Sequence, residues 1–218
     1  MRTAPPDAPP DRLRAARAVA GALVTLAWPA VVYVALTRGG ARAAGVAVAL
    51  LAAPRAVVAL RGARREDALH AARVPLTAAA LGAAAGLWGD GRFLQAAPVL
   101  VNLALLAQFG ASLRTDTPTV ERFARMQQPD LSPDERAWCR RVTVAWCAFF
   151  AVNASVAAAL ALAAPVAWWA LYTGLLAYVA VGAMFAVEYV LRSRRFRRYG
   201  ASAPDRLMAR IFPPRSAA

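Results

Sequence analysis

The chain alternates long apolar runs with short connectors that carry arginine, and this alternation restricts its fold more than any other feature. A helix needs about 20 mostly apolar residues to cross the hydrocarbon core of a bilayer. The hydrophobic fraction of 60% exceeds the roughly 45–50% that is usual in soluble domains. We therefore predict an all-α polytopic membrane protein, a bundle of about six transmembrane helices.

The six runs set the boundaries of the predicted spans. The spans are residues 18–37, 42–60, 74–88, 93–113, 141–163 and 166–191. The third is the least apolar, because alanine and glycine fill its centre; its Gly82 and Gly86 match a close helix-packing pattern. Residues 1–17 are rich in proline and charge and are predicted to form a disordered tail. Residues 192–218 are predicted to form a basic cytoplasmic tail.

The arginines orient the predicted bundle. All 26 basic residues are arginine, and 22 of them lie in the two tails and in connectors 61–73 and 114–141. The other three connectors hold only Arg38, Arg42 and Arg92. Basic residues collect on the cytoplasmic side of a membrane, so both termini are expected in the cytoplasm, at the bacterial inner membrane. This bias also accounts for the net charge of +14, and no nucleic-acid partner is expected.

The connector 114–141 carries two helix-start signals. Ser132-Pro133-Asp134-Glu135 is typical of a capping box, with Ser132 as N-cap and Glu135 at N3, so a helix should start there and continue into the fifth span. Thr117-Pro118 is a weaker N-cap signal and predicts a short helix over 118–127 near the lipid headgroups. Its Val120, Phe123 and Ala124 are expected to face lipid, and its Glu121, Arg122 and Arg125 to face water.

The sequence offers little for catalysis. The single histidine, His70, has no cluster of cysteines or carboxylates beside it in the sequence, so no metal site is predicted. Cys139 and Cys147 lie eight residues apart on one predicted helix, about 12 Å along its axis, which is too far for a disulfide. No phosphate-binding loop or nucleophile elbow is present in the sequence. We expect no catalytic residue and no cofactor.

Polar residues in or beside the last three spans are the candidate functional residues, because burying them in a membrane costs free energy. The candidates are Asn102, Glu121, Arg122, Arg125, Asp130, Arg140, Asn153, Tyr178 and Glu188. Glu188 is expected to pair with Arg192 four residues on, or with Arg140 or Arg141. Hydrogen bonding between helices is the favoured role of such residues, and a polar cavity for a headgroup or substrate is the alternative.

Five arginines follow the sixth span and are predicted to anchor the chain to anionic lipid headgroups. They are Arg192, Arg194, Arg195, Arg197 and Arg198. The expected partner of these arginines is thus a bilayer with anionic headgroups. The oligomeric state is not predicted.

Three stretches of the second half carry a resemblance. These are GRFLQAAPVLVNLALLAQFGASL (91–113), PTVERFARMQQPDLSPDERAWCRRVTVAWCAFFAVN (118–153) and WWALYTGLLAYVAVGAMFAVEYVLRSRRF (168–196). They resemble an uncharacterised bacterial inner-membrane family found beside fatty-acid-synthase-like and aryl polyene genes. This resemblance implies other membrane or acyl-carrier pathway proteins as partners. Some members carry ketosynthase labels, but this chain has one histidine and lacks the Cys-His-His set that such an enzyme needs.

The same half distantly resembles intracellular septation protein A, another small multi-spanning inner-membrane protein. The shared features are the run Phe93–Pro98, Trp138 and Trp146, Phe149-Phe150, Asn153, and Trp168-Trp169. Gln95 and Ala97 stand where that family has lysines. The resemblance implies a link to envelope integrity and brings no catalytic residue.

We therefore expect a non-enzymatic inner-membrane component of lipid-linked or aryl polyene-type envelope biosynthesis, a scaffold or export factor. A small transporter or flippase is the first alternative and requires a cavity around Asn102, Asn153 and Glu188. A membrane enzyme acting on an acyl or lipid substrate is the second. It requires the carboxylates of Glu121 and Asp130 to converge with the guanidinium groups of Arg122, Arg125 and Arg140.

Overall fold

A computed structural model describes residues 11–61, 65–199 and 203–213. Every regular element in these residues is helical, which confirms the predicted all-α class. The helices are α1 (Asp11–Arg61), α2 (Arg65–Trp88), α3 (Arg92–Gln95), α4 (Ala97–Ser112), α5 (Thr119–Gln127), α6 (Pro133–Ala163), α7 (Val166–Leu171), α8 (Ala177–Phe196) and α9 (Ala203–Ile211). A π-helical turn, Tyr172–Leu176, joins α7 to α8.

Four segments of the described residues are long and apolar enough to cross a membrane. They are Ala27–Arg61, Arg92–Ser112, Pro133–Ala163 and Val166–Phe196. The first contains most of the first predicted span and all of the second. Helix α2 contains the third predicted span but is not among the four.

The two tails differ in part from their predicted form. Helix α1 begins at Asp11, so residues 11–17 are helical rather than a disordered tail, and residues 1–10 lie outside the described chain. In the basic tail, residues 192–196 continue α8, and 203–211 form α9. Residues 62–64 of the connector 61–73, and residues 200–202 and 214–218 of the basic tail, also lie outside the described chain.

The chain divides into two compact units. The first comprises the described residues up to Gln95 together with Ala161–Gly174. In it, Gly45 of α1 lies against Gly82 and Gly86 of α2 with the two backbones in direct contact, which confirms the predicted close packing. The GxxxG pair thus contacts a helix of its own chain.

The second unit comprises Ala96–Leu160 and the described residues from Leu175 onward. Its core is an aromatic cluster in which Val142, Trp146 and Phe150 of α6 are buried. Residues from α4, α5 and α8 pack around them, namely Leu105, Leu106, Phe109, Val120, Val181 and Met184. All nine candidate functional residues belong to this unit, so its packing determines their surroundings.

Candidate functional site

Glu121, in the first turn of α5, is buried, although it was predicted to face water. Its side chain is 2% exposed, and its Oε1 accepts hydrogen bonds from Arg125 Nε (3.0 Å) and Nη2 (2.7 Å). Ala124 is also buried, whereas Phe123 is 60% exposed. Helix α5 therefore turns Glu121 and Ala124 toward the protein. The predicted assignment of its faces was wrong for these two residues and for Val120, which packs against the aromatic cluster instead of facing lipid.

The start of α5 explains this orientation. The predicted helix over 118–127 is confirmed at Thr119–Gln127, with Pro118 instead of Thr117 as the N-cap. The first free N–H group of α5 binds a side chain of another helix. Ser112 Oγ, at the end of α4, accepts a hydrogen bond from the Thr119 N–H (3.0 Å). Since a helix start needs partners for its free N–H groups, this bond fixes α5 against α4 and sets which side chains point inward.

The capping box at the start of α6 is confirmed and does more than cap. Ser132 N–H donates to Glu135 Oε2 (2.8 Å), and Glu135 N–H donates to Ser132 Oγ (3.3 Å). The buried Glu135 carboxylate also accepts from Arg198 Nη1 (2.9 Å), 63 residues along the chain. Glu135 thus ties the start of α6 to the segment that follows α8.

Glu188 on α8 pairs with Arg192, the first of its predicted partners. Arg192 Nη2 lies 2.6 Å from Glu188 Oε1, and Trp138 Nε1 of α6 donates to the same oxygen over 3.4 Å. Arg140, a predicted alternative, instead donates to the Leu113 carbonyl at the end of α4 (2.7 Å). The carboxylate therefore joins α8 to α6 through an indole.

Asn102 and Asn153 form an interhelical pair. Asn153 Nδ2 donates to Asn102 Oδ1 (3.2 Å), and Asn102 Nδ2 donates to the Pro98 carbonyl within α4 (2.8 Å). Asn153 is buried and Asn102 is half-buried. This is the favoured arrangement, in which polar groups within spans satisfy one another across helices.

The asparagine pair and Glu188 lie at different depths, which argues against a single cavity around all three. Trp138 contacts Glu188, and Asn153 follows Trp138 by fifteen residues on α6, about 22 Å along the axis. Trp146 and Phe150 lie between them on that helix, within the aromatic cluster. The cavity that the transporter alternative requires is therefore interrupted by packed rings.

The remaining candidates do not converge either. Arg122 Nε donates to the Thr117 carbonyl (3.0 Å), and so stabilises the loop before α5 as Arg140 does. Asp130 is exposed in the loop before α6, and Tyr178 is exposed on α8. Glu121 and Asp130 share no arginine among the contacts of the described residues. The convergence that the enzyme alternative requires is not observed there.

Two open grooves flank the base of α6. The larger, about 520 Å³, is lined by Asp134, Trp138, Leu191, Arg194, Arg195 and Phe196. The smaller, about 260 Å³, is lined by Asp116, Pro118, Glu121, Pro133, Arg136, Ala137 and Arg140. Both are wide surface openings, so neither encloses a substrate away from water.

Sequence reasoning missed Trp138, Glu135 and Arg198 as members of this region. Trp138 was noted only for a resemblance, Glu135 only as a cap, and Arg198 only as a lipid-headgroup anchor. A buried carboxylate that caps a helix through one oxygen has a second oxygen without a capping partner, and its charge must be balanced, which indicates that an arginine lies nearby. It does not say which arginine, because Arg198 is distant in sequence.

Acid–base or metal chemistry would need groups that this region does not bring together. Within the residues that the structure describes, no three of histidine, cysteine, aspartate and glutamate side chains are grouped to hold a metal ion. The three glutamates whose side chains the structure describes, Glu121, Glu135 and Glu188, each bind an arginine. No family model, curated protein or solved structure matches the chain.

Proposed function

We propose that the chain is a six-span protein of the bacterial inner membrane with both termini in the cytoplasm. In this role it is a non-enzymatic component, a scaffold or export factor, of lipid-linked or aryl polyene-type envelope biosynthesis. The observation that carries the non-enzymatic role is the pairing of Glu121, Glu135 and Glu188 with arginines. General acid–base catalysis requires a carboxyl group within reach of a substrate proton. A carboxylate that is already bound to an arginine is poorly suited to this, so the pairing favours a structural role for all three glutamates.

The first segment long enough to cross a membrane supports two spans rather than one. Ala27–Arg61 has 35 residues, which as one straight helix would extend about 52 Å, against roughly 30 Å of hydrocarbon. Gly40 interrupts it with φ 73° and ψ 168°. A left-handed φ suits glycine, and here it allows the chain to turn.

Contacts of the first unit support α2 as a further span. Residues on both sides of Gly40 reach the end of α2, since Leu36 lies against Gly91 and Arg42 against Gly89. Residues 45–49 then run antiparallel to residues 86–82 of α2. Together with the other three segments, these contacts support the proposed six crossings, and six crossings would put the arginine-rich connectors on one side.

Reporter fusions test the topology. We expect fusions of green fluorescent protein after Gln128 and after the C-terminal Ala218 to fluoresce, and alkaline phosphatase fusions after Gly40 and Gly91 to be active. Fluorescence requires a cytoplasmic location and phosphatase activity an external one, so each site is controlled by the reciprocal reporter. An active phosphatase fusion after Gln128, or a fluorescent fusion after Gly91, would refute six spans.

The biosynthetic role rests on the resemblance over residues 91–196 and on how polar groups are used in the second unit. Ser112, Arg140 and Trp138 all connect α4, α5, α6 and α8 near one end of the unit. A region held together in this way suits a rigid platform for partner proteins better than a reaction site. The seven-residue basic run Arg192–Arg198 lies at the same end.

Complementation of a deletion strain tests the role. We expect deletion to abolish the lipid-linked or polyene product, and Glu121→Gln, Asn153→Ala and Glu188→Gln to restore it in proportion to the amount of protein in the membrane. Product per protein should stay within about twofold of wild type, because these residues act through packing. Asp130→Asn, an exposed carboxylate changed to its amide, is the matched control.

Two outcomes would overturn the proposal. A product loss above tenfold at normal protein level in Glu121→Gln or Glu188→Gln, but not in Asp130→Asn, would make the carboxylate part of a reaction or transport site. Filamentous cells with normal product after deletion would move the role to septation, as the second resemblance implies.

A further inference from the structure

The larger groove of the second unit, here called the Trp138 groove, has two kinds of wall. Trp138 and Phe196 form an aromatic wall, with ring centroids 6.1 Å apart and planes at 79°. Arg194 and Arg195 form a basic wall on the last turn of α8. Such a combination of aromatic surface and guanidinium groups is suited to an anionic group attached to an apolar body.

The contacts of the tail arginines leave two of them for a ligand. Arg192 binds Glu188, Arg198 binds Glu135, and Arg197 donates to the Pro213 carbonyl. Among the residues that the structure describes, no carboxylate lies within ion-pair distance of Arg194 or Arg195. The predicted five-arginine anchor therefore reduces to two exposed guanidinium groups in one groove.

Arg195 is positioned by the aromatic wall. Its guanidinium carbon lies 5.9 Å from the Trp138 ring centroid and 5.6 Å from that of Phe196. The Trp138 ring is itself held through its bond to Glu188. A guanidinium group placed over ring faces keeps its N–H edge free for two parallel hydrogen bonds, the geometry that a phosphate accepts.

Charge and shape indicate which anion fits. Asp134 also lines the groove, so the net charge of the lining residues is +1, from two arginines and one carboxylate. A phosphodiester, which carries a single negative charge, balances that value, whereas a phosphomonoester dianion exceeds it. Leu191 and Val187 are exposed on α8, one and two turns before the arginines, and continue the groove as an apolar strip.

We propose that the Trp138 groove binds one anionic glycerophospholipid. Its phosphodiester lies between Arg194 and Arg195, and an acyl chain lies along Leu191 and Val187. This site goes beyond the proposed biosynthetic role and does not depend on it, because the binding test uses no pathway product. It locates the predicted headgroup contact at two residues and adds Trp138 as the residue that positions one of them.

Native mass spectrometry of the full chain in detergent tests the site. We expect phosphatidylglycerol to bind at least tenfold more tightly than phosphatidylcholine, which has the same phosphodiester without net charge. Arg194→Gln/Arg195→Gln should weaken phosphatidylglycerol binding by about 30-fold, as expected for two basic residues near a lipid surface. Both side chains are exposed, so the double variant should fold normally.

The matched control is Arg114→Gln/Arg136→Gln, which removes the same charge from exposed residues outside the groove. It should change binding by less than threefold. An equal loss in the control variant would show attraction by overall charge and would overturn the site. Displacement of the lipid by equimolar free glycerophosphoglycerol would also overturn it, because the ligand would then be a soluble phosphodiester rather than a lipid.

Discussion

Replacing Trp146 by alanine is expected to lower the free energy of unfolding by about 4 kcal/mol. Trp146 is 6% exposed, and four phenylalanine rings from α4, α6 and α8 surround it, with centroids at 4.8 Å (Phe185), 5.5 Å (Phe149), 5.5 Å (Phe150) and 6.5 Å (Phe109). Helices in lipid are held by packing rather than by transfer from water, so the cavity left behind removes the contacts of three helices at once. The measurement is unfolding of the purified protein by SDS titration in mixed micelles.

Trp168→Ala is the control for this prediction. It removes the same side chain from a position that is 61% exposed, and the free energy of unfolding should fall by less than about 1 kcal/mol. Equal effects of the two substitutions would contradict the central place of Trp146 in the aromatic cluster.

Gly45→Ala is expected to destabilise the first unit by about 3 kcal/mol, the upper end for overpacking. A Cβ at Gly45 would lie 2.6 Å from the Gly82 carbonyl oxygen and 2.8 Å from the Ala85 carbonyl carbon, and it would also contact the Gly86 nitrogen. These are backbone atoms of α2, which cannot move aside as a flexible side chain would. The two helices must therefore separate, and the loss should appear as a lower unfolding midpoint in the same titration.

Gly182→Ala provides the comparison, since nothing lies within 4 Å of the Cβ that it would add. Alanine has a higher helix propensity than glycine, so this variant should be as stable as wild type or slightly more so. A Gly45→Ala protein as stable as Gly182→Ala would show that α1 and α2 do not pack through these glycines.

Local signals in the sequence predicted several elements correctly. The short helix after Pro118, the reciprocal capping bonds of Ser132 and Glu135, and the Glu188–Arg192 pair were all predicted and are confirmed. Each depends on residues within four or five positions of one another. Helical geometry alone brings such residues together, so no knowledge of the neighbouring helices is required.

The candidate site was predicted only in part, and long-range contacts explain the difference. The list of polar residues included Asn102 and Asn153 but could not show that they bind each other across 51 positions. It included Glu121 with the wrong exposure, because the rotation of α5 depends on the bond from Thr119 to Ser112. It omitted Glu135 and Trp138, whose partners lie on other helices.

The sequence by itself determined that this chain is helical, that it has apolar helices long enough to cross a membrane, and where its capped helices begin. Apolar length and capping chemistry are properties of consecutive residues, so they can be read without a fold. Only the tertiary structure decided which charges are paired and which remain available, because that depends on how helices rotate and pack. Arg198 binds Glu135 while Arg194 and Arg195, four and three positions earlier, line an open groove.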